Sequence, residues 1–181
     1  MEKDTRGTFS LNTFMGYFQG GARSHLFMYI PQFPSKVIDT IEGEKPYSNA
    51  SIQYFVRATS LPESTIEEMV LTFRGFDYKL GGRRSYSDWT LTFNSDRKYG
   101  VRNFFEIWMN KIAEKDNYGL PKDYMNTQSF QLLDYDGSTV RTINLYNAWP
   151  KSISPITLDY SSQDIAQFDV TFSYSYYDIT V

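Results

Sequence analysis

The chain of 181 residues contains no cysteine, which excludes disulfides, thiolate metal centres and cysteine nucleophiles. Its single histidine, His25, leaves too little for a zinc cluster or a Ser-His-Asp triad, and reads as an ordinary polar residue at a strand entrance. Lys and Arg number 18 against 21 Asp and Glu, for a net charge of −3, the wrong balance for a surface that grips nucleic acid through its phosphates. No apolar run is long enough to span a bilayer, so no membrane insertion is expected. The opening MEKDTRGTFSLNTF lacks the basic-then-apolar order of a secretory leader, so synthesis and residence in a cytoplasm are expected. In that compartment the sequon Asn49-Ala50-Ser51 carries no meaning.

What the chain has in quantity is aromatics: 15 Tyr and 14 Phe, a content that suits β-sheets and buried interfaces. Its length fits one domain, residues 1–181, able to bury a core without staples. Residues 1–24 form an N-terminal arm in which Phe14, Tyr17 and Phe18 have the spacing of a short helix before Gly20-Gly21; a mobile arm is the competing reading. LFMYI at 26–30 reads as a strand stopped by Pro31. Residues 31–53 are polar and proline-punctuated, an inserted loop with a small extended piece at 36–41.

From 54 to 94 the pattern is a β-meander. Strands are expected at 54–58, at 69–73 with 76–80, and at 89–93. Pro62 ends the first, and Gly75 sits where a tight hairpin needs positive φ. Val101, Phe104, Phe105, Trp108 and Ile112 then recur at three and four, the apolar stripe of a helix over 96–115 capped by Ser95 or Asp96. Strands return at 129–135 and 140–146 around the turn dipeptide Asp136-Gly137, and again at 156–160. The run 165–177 alternates most regularly. Ala166, Phe168, Val170, Phe172, Tyr174 and Tyr176 point one way; Gln167, Asp169, Thr171, Ser173 and Ser175 point the other.

Candidate chemistry is thin. Glu67-Glu68 are strand neighbours facing opposite sides, so they cannot flank one bond. Gly81-Gly82-Arg83-Arg84 lacks the strand-to-helix setting of a phosphate loop, so Arg83 and Arg84 read as exposed at a hairpin exit. Asp134 and Asp136 have no metal-loop spacing. No enzyme site and no cofactor are expected. A carbohydrate-binding β-sandwich, with aromatics stacking sugars, remains open on composition alone.

An ordered series of residues speaks further. Ala58-Thr59-Ser60-Leu61-Pro62, Glu67, Gly82, Arg84 and Ser87-Asp88-Trp89-Thr90-Leu91-Thr92 resemble the tail tube proteins of contractile-tailed phages of the T4 type. The similarity runs on through Asp96, Arg102, Phe105 and Trp108, then Ala148-Trp149-Pro150, Leu158-Asp159-Tyr160 and Phe168-Asp169-Val170-Thr171. Upstream, Ala22-Arg23 and Leu26-Phe27 resemble the family's entry into its first strand. The resemblance implies a mainly β fold: an antiparallel β-barrel or sandwich with one flanking α-helix, six copies forming a ring with a continuous inner barrel. It implies a structural virion protein that stacks such rings into a conduit for DNA, with tail sheath, baseplate and tail terminator proteins as partners. A baseplate tube initiator, or the tube subunit of an injection machine, would share the fold. On this reading Gln167, Asp169, Thr171, Ser173 and Ser175 are lumen candidates. Arg83, Arg84, Ser35, Lys36 and Asn49 are candidates for contacts with the next ring or a sheath.

Overall fold

The computed structural model describes residues 11–41, 49–114 and 117–180. Residues 1–10 of the expected arm, 42–48 of the expected insertion and Lys115 lie outside them. A seven-stranded antiparallel sheet dominates, in the order β1 (Phe27–Ile30), β8 (Asn126–Leu133), β9 (Thr139–Ile153), β10 (Gln167–Ser173), β5 (Trp89–Asn94) and β2 (Val56–Thr59), with β11 (Tyr176–Thr180) also on β9. The 15-residue β9 belongs to both halves of this sheet. Its first part pairs with β8 and β11, its last part with β10. Between the two parts Asn147 takes φ +56°, a left-handed conformation Asn tolerates better than most residues, and the strand turns a corner.

That corner bends the sheet over itself, so that its inner faces meet. Trp89 of β5 stacks on Phe130 of β8 at 5.3 Å and lies 6.0 Å from Tyr29 of β1. The remaining space is filled by α4 (Gly100–Ile112), whose Val101, Phe104, Phe105 and Trp108 are buried, with Ile112 partly so. Phe105 packs on Phe93 at 4.9 Å and Trp108 on Phe172 at 5.9 Å. The Asp96 carboxylate receives the backbone N–H groups of Lys98 and Val101 at 2.9 and 3.0 Å. It thus holds the first turn of a helix that begins four residues later than the expected start at 96, with Tyr99 rather than Ser95 or Asp96 at the N-cap position.

Three expectations are corrected. The piece at 36–41 is helical, not extended: α2 (Ser35–Ile41) and α3 (Asn49–Ile52) occupy the stretch read as a loop. Phe33, Val37 and Ile52 from this stretch are buried, Phe33 against Phe104 at 4.2 Å. So α4 is not alone in flanking the sheet. A helix of seven residues with Val37 as its buried anchor spans too few turns for a 3.6-residue period to register. Residues 156–160 form no strand, and Leu158 and Tyr160 are exposed. Asp159 there folds onto Ser161, accepting from its N–H and hydroxyl at 2.8 and 2.7 Å, a local turn that competes with strand pairing. Finally, the run 165–177 is broken at Tyr174-Ser175, where Ser175 donates its N–H to Tyr146 O and accepts from Asn147 Nδ2. Tyr176, expected in the core, is exposed and stacks on Tyr146 at 4.7 Å.

Candidate assembly surfaces

Strands β3 (Ser64–Phe73) and β4 (Phe76–Tyr86) make a two-stranded sheet of their own. Arg74 and Gly75 close it with φ +51° and +82°, the two positive values of a tight hairpin turn. Register assigns the faces, because residues directly opposite in an antiparallel pair share one. Met69 faces Leu80, Leu71 faces Tyr78, and Phe73 faces Phe76, all on one side. The other side carries Val70 opposite Lys79 and Thr72 opposite Asp77, with the Glu68–Lys79 ion pair at 3.1 Å and Thr72 Oγ1 donating to Asp77 at 2.7 Å. All six members of the apolar face are exposed, from 37% at Leu80 to 81% at Phe76.

The base of this arm is fastened to the body. Tyr86 packs on Tyr174 and Tyr177 at 6.0 and 5.5 Å, and the Tyr177 hydroxyl reaches Ser64 Oγ. Burial first, then the nearby Tyr177 and Asp88, pushes the Tyr174 phenol up to about 12. Asp88 is held by Lys151 at 2.6 Å, and Trp89 Nε1 donates to Ser60 O at 2.9 Å. A bulge opposite Glu67 kinks the hairpin. Gly82 suits the close approach there, since a Cβ would come 3.0 Å from the Glu67 carbonyl oxygen.

The second surface is the outward face of β5 and β10. Asp169 pairs with Thr92 and Thr171 with Thr90; Thr92 Oγ1 donates to Asp169 Oδ1 at 2.7 Å, and the two threonine hydroxyls of the other pair lie 3.2 Å apart. Gln167 faces Asn94, and Thr171 faces Ser152 of β9 on its other side. Asp169 N–H donates to Ser154 Oγ at 2.7 Å. The result is a tiled patch of hydroxyls and amides around one carboxylate. Gln167, Asp169, Thr171 and Ser173 lie on β10, whereas Ser175 sits in the bend beyond it. Thr90 and Thr92 belong to the same face and went unnoticed in the sequence. Their alternation with Trp89, Leu91 and Phe93 was the signal that could have found them.

The other candidates are scattered. Arg83 and Arg84 are exposed on β4 near the bulge. Ser35 opens α2, and Lys36 pairs with Asp123 of α5 (Pro121–Tyr124) at 2.8 Å. Asn49 begins α3, its side chain outside the described residues. Among the described residues no group of three or more His, Asp or Glu could hold a metal ion.

Comparison with known proteins agrees with this architecture. The chain is 26% identical over 140 residues to the tail tube protein gp19 of Enterobacteria phage T4, covering 75% of this chain and 86% of that one. It is 23% identical over 161 residues to the tail tube protein of Serratia phage KSP90, covering 86% and 88%. Its fold is similar to a chain of the sheath–tube complex of the extracellular contractile injection system PVC in its extended state (TM-score 0.59, 16% identity, 94% of this chain and 99% of that one). It is also similar to a chain of the tube-terminating cap of the anti-feeding prophage (TM-score 0.63, 16% identity, 88% and 90%). The family profile described as phage tail tube protein matches residues 23–180, and the chain therefore belongs to the phage tail tube protein family.

Proposed function

We propose that this chain forms the inner tube of a contractile tail by stacking hexameric rings into a conduit for DNA. The observation that carries the reading is the β3–β4 hairpin, whose six-residue apolar face is exposed in the single chain. An apolar face of this size is costly in water and marks an interaction surface. Among the described residues β1, β2 and β11 each pair on one side alone, and ring closure would pair such edges. Each lateral contact is then of the obligate kind, on the order of 2,000 Å² or more. Sheath, baseplate and terminator proteins are the further partners, with assembly in the host cytoplasm. Exposed Ser35, Arg83 and Arg84 are candidates for contacts with them or with the next ring.

In this arrangement the tiled face of β5 and β10 lines the lumen. DNA carries one negative charge per ~1.7 Å of axis, so every basic group on the wall would release counterions and hold the strand. A wall of hydroxyls and amides, with Asp169 as its carboxylate, lets the strand slide by failing to bind it. A reconstruction of the assembled particle tests both parts. Six-fold rings with Asp169, Thr171 and Thr92 on the inner wall are expected; particles without six-fold rings, or with these residues outside, would overturn the corresponding part. Asp169→Lys should leave tubes intact and slow DNA passage, more at low salt, where screening is weak.

A further inference from the structure

Helix α1 (Leu11–Phe18) has no buried residue. Leu11, Phe14, Met15 and Phe18 follow the i, i+3, i+4, i+7 spacing of one helical stripe, and all four are 49–73% exposed. Such a short helix holds its shape through packing rather than propensity, so the stripe needs a cover. We propose that α1 of one copy covers the apolar face of the β3–β4 hairpin of a second copy. This rests on the reading that the chain self-assembles, and it assigns which segment meets which.

Dimensions and chemistry match. Leu11 to Phe18 spans about 10 Å at the helical rise, and Met69 to Phe73 about 14 Å at the strand rise. α1 reads LNTFMGYF, without a charge, and the hairpin's Glu68, Asp77 and Lys79 lie on its other side; on the apolar side the charges stand at its two ends, Arg74 over the Phe73 ring at 5.4 Å at the turn and Glu67 beyond Met69 at the bulge. A cover centred on Leu71 and Tyr78 leaves both end charges in water. Phe14 and Phe18, already stacked on one another at 5.2 Å, offer rings to Leu71 and Tyr78, and Met15 adapts between them.

Position decides between copies. The chain leaves α1 through Gln19, Gly20 and Gly21, all at positive φ, and is fastened at the β8–β9 turn. There the Tyr135 hydroxyl donates to Gly21 O and accepts from Arg23 Nε, both at 2.9 Å. The hairpin is fastened further along β9, beside the corner at Asn147, through Tyr177, whose strand partner is Leu145. From Thr139 to Leu145 is about 20 Å of strand. Two different apolar faces anchored apart on one chain make a head-to-tail contact, which propagates into rings or stacks; a hairpin-to-hairpin contact would close as a dimer and stop.

The absence of cysteine makes the test clean. In the full chain Met15→Cys and Leu71→Cys are combined, and the assembled protein is treated with a short bis-maleimide. A ladder of linked chains is expected. The single variants mixed in equal amounts should yield linked pairs and no ladder. Linked pairs from Leu71→Cys alone would mean hairpin meets hairpin and would overturn the assignment. Rings in the microscope without a ladder would overturn it while leaving the tube reading standing; neither rings nor ladder would remove both. Independently, Phe14→Glu should raise the concentration needed for assembly roughly tenfold or more, with the melting temperature of the unassembled chain unchanged. Assembly at the parent concentration would contradict the proposal.

Discussion

The strand pairs β5–β10 and β3–β4 draw on the same residue types in similar alternation, with opposite fates. In β5–β10 the apolar residues Trp89, Leu91, Phe93, Phe168, Val170 and Phe172 are all buried, and α4 seals them. In β3–β4 the apolar residues Met69, Leu71, Phe73, Phe76, Tyr78 and Leu80 are all exposed. Alternation says that a strand has an apolar side; it does not say whose atoms will cover that side. One pair spends its apolar face on folding the chain, the other keeps it for another chain. The two should therefore respond differently to mutation, one through stability and the other through association.

The largest expected effect comes from the body, where it was least anticipated. Deleting residues 35–49 removes α2 with the buried Val37 and displaces the buried Phe33 and Ile52 that flank it, so the folded, soluble chain should be lost. A variant with parental circular dichroism would show that this stretch is external after all. Next, Trp108→Ala empties a fully buried site and orphans the Tyr124 carbonyl that Trp108 Nε1 reaches at 2.8 Å. A loss of about 3–5 kcal/mol is expected in denaturant unfolding.

Tyr29→Phe is subtler. Its buried hydroxyl donates to Gln128 Oε1, and Gln128 Nε2 donates to Gln32 O, so the change should cost about 1–3 kcal/mol by leaving a buried acceptor unpaired. Burial also pushes the Tyr29 phenol up from its ordinary value. The protonated form is favoured in the folded state, so its contribution is intact below about pH 10 and declines above it as the unfolded phenol ionises. Unfolding curves of Tyr29→Phe should therefore fall less steeply above that pH than those of the parent. The smallest effect on stability belongs to the arm. Leu71→Ser should change unfolding by no more than about 0.5 kcal/mol while abolishing or weakening assembly in sedimentation. A large loss of stability instead would erase the contrast between the two strand pairs.

Much of this was legible beforehand because it is local. The stripe from Val101 to Trp108 could only be one helix, Gly75 and Gly137 took the positive φ their turns require, and the polar side of β10 followed from strict alternation. Where local signals fell short, a longer-range partner had intervened. Residues 156–160 have strand-like composition but pair with no strand among the described residues, and Asp159 takes its own turn. Residues 35–41 show too few apolar positions to reveal a helix, yet Val37 is buried because α4 and α5 stand beside it.

The sequence by itself determined the antiparallel β class, the helix that fills the core, and a chemistry too sparse for catalysis to be expected, since periodicity and residue type act within a few neighbours. Which apolar faces are sealed and which stay bare was decided only in three dimensions. Asn147 turns β9 into two half-sheets and carries β10 and β5 over the core, whereas β3 and β4, among the described residues, pair with each other alone. Burial is a property of what lies across a face, and that neighbour is set by a corner far away in the chain.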